Sequence, residues 1–226
     1  MPFLLLPLAT LIGYLLTGSF FLRSSTTLLC LALVLCICVV QRRERTAWWV
    51  VAAFALSFLG DYVLGHWGGS FEGFVSGVGL FLLAHLGYVG YSLCHGRLLH
   101  WLFWLLALVF GAYYVFLLRP AISDAVTSSA VLAYILIFCL SLAAAAGIRA
   151  DCATQAEALE CISHSKTSKL WKILFVAGVA SLLFSDLLIA QKRFLHDGTL
   201  YPLMMPTYFA SQLLISAALI CRKNWR

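Results

Sequence analysis

Trp171-Lys-Ile-Leu-Phe-Val-Ala-Gly-Val-Ala-Ser-Leu-Leu-Phe-Ser-Asp-Leu-Leu-Ile-Ala190 is a run of apolar and small residues interrupted by one cation in its first turn and one acid, Asp186. At 1.5 Å per residue a helix of about 20 residues spans about 30 Å, the thickness of a bilayer's hydrocarbon core. The run is continuous and does not alternate, so it does not read as a half-exposed strand. An open sheet facing lipid is excluded, because its edge amides would have no partners. Seven further runs of the same kind cover residues 3–21, 26–40, 47–64, 74–93, 98–118, 125–148 and 201–221. The chain is thus expected to be an all-α polytopic membrane protein of eight transmembrane helices, forming a single domain over residues 1–226. The first run lacks a basic leader and a small-x-small cleavage site, and reads as a retained helix.

Composition agrees. Of 226 residues, 63% are hydrophobic and 11% charged, and mean hydropathy is +0.97. A soluble domain is nearer half apolar and a quarter charged. The net charge of +6 sits in short segments between apolar runs, where it sets orientation and meets lipid headgroups, so a nucleic-acid partner is excluded. Eleven basic residues (Arg42, Arg43, Arg45, Arg97, Arg149, Lys166, Lys169, Lys172, Arg222, Lys223 and Arg226) fall on one side of the runs, and four (Arg23, Arg119, Lys192 and Arg193) on the other. The positive-inside rule then places both termini in the cytoplasm, with residues 149–169 as a cytoplasmic loop containing Asp151, Glu157 and Glu160. No sorting signal is seen, which favours a bacterial inner membrane over an endomembrane. Eight cysteines carry no CxxC pair and no Cys/His ligand spacing, so they read as small buried hydrophobes. There is no HExxH and no GxSxG. No metal and no cofactor is expected.

The ionisable residues inside the runs are Asp61, His85 and Asp186. Such groups are costly in a membrane and face the bundle interior. Asp61 ends Ala55-Leu-Ser-Phe-Leu-Gly-Asp61, and Asp186 ends Ala180-Ser-Leu-Leu-Phe-Ser-Asp186; the runs that follow carry Tyr88 and Tyr208. Four runs separate the copies, which reads as two parallel four-helix halves. Both acids lie about four residues, or about 6 Å, from the same end of their runs. At matched depth they can meet in one cavity as a general acid and a general base, with one proton held between them. His85 and Tyr88 share a helix face. By count His85 lies roughly 10 Å below the aspartates, so it reads either as a substrate contact or as an interhelical hydrogen bond. Thr207, Ser211 and Gln212 form a polar stripe on the last run. Tyr113, Tyr114, Ser128, Ser129 and Tyr134 are candidates to line the same cavity.

Two sets of segments carry a resemblance. Gly60-Asp61-Tyr-Val-Leu64, Phe74-Val-Ser-Gly77 and Phe81-Leu-Leu-Ala-His85-Leu-Gly-Tyr88 form the first. Phe184-Ser185-Asp186-Leu-Leu-Ile-Ala190 and Met205-Pro-Thr-Tyr208-Phe-Ala-Ser-Gln212-Leu-Leu-Ile215 form the second. Together they resemble the YhhN-like family of membrane proteins, which includes the lysoplasmalogenases. Ser211 stands where the family pattern has Ala. The resemblance implies hydrolysis of the vinyl-ether bond of choline or ethanolamine lysoplasmalogens, giving a fatty aldehyde and a glycerophosphodiester. The substrate is then a lysophospholipid taken from the bilayer. Asp61 and Asp186 would be the catalytic pair, and His85, Tyr88, Tyr208 and Gln212 the substrate-positioning groups. The alternative is a proton-coupled or lipid-handling transporter without chemistry. An intramembrane aspartyl protease fits worse: Phe58 stands where a GxGD pattern needs Gly, and Ser185 precedes the second acid where that class has Tyr.

Overall fold

A computed structural model describes residues 4–18, 20–40, 45–149 and 161–222, with side chains except at 20–24 and 161–168. Its helices are α1 (Leu5–Thr17), α2 (Phe20–Val40), α3 (Trp48–Trp67), α4 (Phe71–Cys94), α5 (His100–Tyr113), α6 (Arg119–Ala121), α7 (Ala125–Ala146), α8 (Cys161–Ala190) and α9 (Met204–Cys221). A π-helical turn, Tyr114–Leu118, joins α5 to α6, and another, Gln191–Leu195, extends α8. Among the described residues six helical stretches are long and apolar enough to cross a membrane: Arg45–Trp67, Phe71–Cys94, His100–Ala121, Ala125–Ala146, Lys169–Leu195 and Tyr201–Cys221. Leu5–Thr17 and Ser25–Val40 are shorter apolar helices. The described residues contain no strand, only an isolated bridge from Gly96 to Ile148.

The surface of the molecule is far more apolar than that of a water-soluble protein. Leu108 and Phe116 are 72% and 76% exposed, and no residue of His100–Tyr113 is buried. Meanwhile Thr27, Ser57, His85, Ser141, Ser211, Gln212 and Ser216 are fully buried. An apolar surface of this extent is stable only where the surrounding medium is apolar. The chain is an all-helical integral membrane protein.

Local chemistry sets the helix ends. Ser70 Oγ accepts the Gly73 N–H at 3.0 Å to open α4, and Asp124 accepts the Thr127 N–H at 2.6 Å to open α7. That hydrogen bond holds the exposed Asp124 carboxyl below its usual range. Gly18, at φ 67°, ends α1 in the left-handed region. Helix α8 is longer than the sequence run 171–190 at both ends. Residues 161–170 continue it on one side, and the π turn carries it past Ala190 on the other. Cys152 and the acids Asp151, Glu157 and Glu160 lie outside the described residues.

Helix α3 packs along α4, and α8 along α9, as the two closest pairs; α7 bridges α4 and α8, and α2 bridges α3 and α9. Small residues let these backbones approach, as they do wherever lipid removes the hydrophobic drive between helices. A Cβ on Gly87 would stand 2.8 Å from the Trp49 carbonyl and 2.9 Å from the Ala53 Cβ, and one on Gly178 would stand 3.1 Å from the Ser211 carbonyl. Gly87→Val is therefore expected to destabilise the protein by about 1–3 kcal/mol through overpacking. Gly79→Ala, whose Cβ would meet nothing within 4 Å, is expected to be neutral. Thermal unfolding in detergent, read side by side, checks both.

Candidate functional site

Asp61 lies on the face of α3 that turns inward, beside Ser57 and Gly60, and is 4% exposed. Its Oδ2 accepts the hydroxyl of Thr27 from α2 at 3.2 Å. The Tyr208 hydroxyl, from α9, sits beside both Asp61 and Thr27. It closes no well-formed hydrogen bond among the described residues. Asp186 lies on α8 with its side chain 8% exposed. It accepts the Tyr134 hydroxyl from α7 at 2.7 Å and pairs with His85 Nε2 from α4 at 3.1 Å. Both contacts fall on Oδ2, so Oδ1 accepts nothing among the described residues. His85 Nδ1 is buried, and no partner among the described residues reaches it.

The contact between His85 and Asp186 corrects the depth estimate made from sequence. Counting residues put His85 roughly 10 Å from the aspartates along the membrane normal. Two things close that gap. First, α8 does not end at Ala190. Its π turn runs to Leu195, nine residues beyond Asp186, so the acid sits about 13 Å from the helix end and not about 6 Å. Second, α4 and α8 run in opposite directions, and side chains lean toward the N-terminus of their own helix. His85 and Asp186 therefore lean toward each other. Asp61 similarly lies six residues before the end of α3 at Trp67.

Both aspartates open onto one cavity of about 370 Å³. Its wall also includes Phe81, Ser185, Lys192, Arg193, His196, Tyr201 and Tyr208, so it reaches from the carboxylates to the loop that follows α8. At Asp186 it adjoins a smaller, apolar pocket of about 70 Å³ between α4, α5, α7 and α8, lined by Val78, Phe110, Tyr134, Ile135 and Phe138 among others. Asp186 and Phe81 belong to both.

The remaining sequence candidates divide. Tyr134 reaches the site as a direct donor to Asp186, and Tyr113 lines the apolar pocket. Tyr114 turns away to Ser128, 2.6 Å between hydroxyls, and Ser129 donates to the Ala125 carbonyl. Tyr88 and Gln212 do not line the cavity. They form a buried polar layer behind it, with the Tyr88 hydroxyl facing Ser57 and Gln212. On the stripe, Ser211 donates to the Tyr208 carbonyl, and Thr207 to the carbonyls of Leu203 and Met204. Nothing in the sequence marks Thr27 as functional within its short apolar run. Lys192 and Arg193 carry a sequence signal: they are two of the four basic residues that fall between runs on the less basic side of the positive-inside count.

The architecture and this constellation define a polytopic membrane protein with two interior carboxylates opening on a shared cavity. The YhhN family model matches residues 19–219, and the chain belongs to that family. Neither the curated proteins nor the solved structures contain a match.

The geometry makes Tyr134 and His85 positioning groups for Asp186. Tyr134→Phe removes one O–H donor to the carboxylate, a loss of about 1.5–3 kcal/mol for a charge-assisted bond. With the ring retained, the variant is expected to fold as wild type. Any turnover that depends on Asp186 is expected to fall by roughly tenfold or more. His85→Ala, which removes the second donor to the same oxygen and leaves a void where the buried imidazole stood, is expected to cost at least as much. Turnover measured with unfolding midpoints separates these losses from misfolding.

Proposed function

We propose that this protein is a lysoplasmalogenase, hydrolysing the vinyl-ether bond of choline or ethanolamine lysoplasmalogens by carboxylate acid–base catalysis. One observation carries the reading: two buried carboxylates from distant helices line one cavity, and at one of them that cavity adjoins an apolar pocket. The family match supports it. A vinyl ether is chemically dormant until its β-carbon is protonated. A carboxylic acid delivers that proton, the C=C electron pair forms the new C–H bond, and an oxocarbenium ion forms across the α-carbon and the ether oxygen. The second carboxylate takes a proton from water as the water oxygen bonds to the α-carbon. The resulting hemiacetal breaks its bond to the glycerol oxygen. It releases a fatty aldehyde, and the glycerol oxygen gains the proton. Asp61 and Asp186 fill the two carboxylate roles, and either carboxylate, when ionised, stabilises the passing cation.

The surrounding groups suit this sequence. Thr27, Tyr134 and His85 hold the carboxylates in place by hydrogen bonds, so little reorganisation is needed as charge develops. The apolar pocket takes the start of the alkenyl chain, and the polar cavity the glycerol end. The same reading takes α1 and α2 as spans too. That gives eight transmembrane helices in two parallel halves, α3 with α4 corresponding to α8 with α9, and both termini cytoplasmic.

Purified protein in detergent is expected to release fatty aldehyde from lysoplasmenylethanolamine. Asp61→Asn and Asp186→Asn are each expected to lower the rate by about 10²–10⁴-fold, the range for loss of a general acid or base. Absence of aldehyde from well-folded wild type on both headgroups would defeat the proposal and favour transport without chemistry. Full activity in either variant would remove that residue from the mechanism.

A further inference from the structure

The polar cavity holds two kinds of charge. Its carboxylates are Asp61 and Asp186; its cations are Lys192 and Arg193, with His196 beside them. Among the described residues neither cation forms an ion pair. Lys192 Nζ stands 3.4 Å from the centre of the Tyr201 ring, and Arg193 Cζ stands 4.8 Å from that of Phe74. Aromatic faces hold a cation's position through the ring quadrupole without occupying its hydrogen-bond donors. Both side chains are exposed, stand at the cavity wall and keep N–H groups available.

The backbone places them there. Lys192 and Arg193 belong to the π turn Gln191–Leu195, and the next residue, His196, has φ 54°. No other described non-glycine residue has a positive φ. π turns and left-handed non-glycine residues are unfavourable locally and persist where surroundings over-determine them. Here they carry α8 past Asp186 so that Lys192, Arg193 and His196 line the same cavity as that acid. Asp186 to Arg193 is seven residues, about 10 Å along a helix. One wall therefore presents a carboxylate at depth and cations nearer the loop.

We infer that Lys192 and Arg193, with His196 at the rim, form an anion site for the phosphodiester of the lysolipid headgroup. This rests on the proposed substrate. With the vinyl ether at the aspartates and the alkenyl chain in the apolar pocket, glycerol carries the phosphate toward the cations. A guanidinium and an ammonium supply complementary donors to phosphate oxygens. The site fixes the polar end of the substrate, and so selects phospholipid over neutral alkenylglycerol.

The test reads binding, not turnover, so it stands apart from the vinyl-ether chemistry. The probes are 1-alkyl-lysophosphoethanolamine, whose saturated ether is not hydrolysed, and 1-alkylglycerol, which lacks phosphate. In Lys192→Gln/Arg193→Gln, affinity for the phospholipid is expected to fall by about tenfold or more, as for loss of charge-assisted hydrogen bonds. Affinity for 1-alkylglycerol is expected to change by less than about twofold. Lys169→Gln/Lys172→Gln, near the other end of α8, removes two positive charges away from the cavity and controls for net charge. Equal effects on both probes, or none on the phospholipid, would overturn the inference. So would glycerophosphoethanolamine binding as tightly as the lysolipid, because the site would then serve a water-soluble phosphodiester. Loss of phospholipid binding in a protein that releases no aldehyde would sustain the anion site and discard the hydrolase.

Discussion

The structure is organised around the difficulty of keeping carboxylates inside an apolar bundle. A charge moved from water to a low-dielectric interior loses several kcal/mol of solvation, even after relaxation. That loss is tolerable only where donors and a small polar volume replace the water. Asp61 and Asp186 have both: a hydroxyl from α2 for one, a hydroxyl and an imidazole from α7 and α4 for the other, and a shared cavity. Six helices contribute to this arrangement. The rest of the fold can be understood as the packing needed to bring them together.

The assembly is crosswise. Tyr208 follows Asp186 in the chain yet sits beside Asp61, while His85 follows Asp61 yet pairs with Asp186. Each acid-bearing helix is therefore served by the helix that follows the other acid. Antiparallel neighbours make this natural, since side chains on the two partners lean toward one another. Close approach at Gly87 and Gly178 holds α3 against α4 and α8 against α9, so the four polar side chains converge from two tight pairs. Behind them Tyr88, Ser57 and Gln212 continue the polar interior away from the cavity.

Much of this was legible in the sequence, and the reasons for the misses are specific. Apolar runs are long-range averages over about 20 residues, so their existence and order survive local error. Their ends do not: a π turn carrying Gln191, Lys192 and Arg193 reads as loop, because its composition is polar while its backbone continues the helix. That single boundary displaced Asp186 by several ångströms and hid its contact with His85. The acids themselves stood out because ionisable groups in an apolar run demand an explanation. Thr27 did not, since a hydroxyl in a helix satisfies itself on its own backbone at no visible cost. Tyr134 was one of five hydroxyl candidates, and only three-dimensional packing separates it from Tyr114, which bonds Ser128 instead.

The central claim is that Asp61 and Asp186 work as one unit in one cavity. A double-mutant cycle on aldehyde release, comparing the Asn variant at each position with the doubly substituted protein, tests it most directly. Groups that act as a unit lose little more when both are removed than when the more damaging one is. The expected result is a double variant within about tenfold of the slower single variant. Losses that multiply, each substitution costing the same whether or not the other acid is present, would show two independent residues and contradict the account.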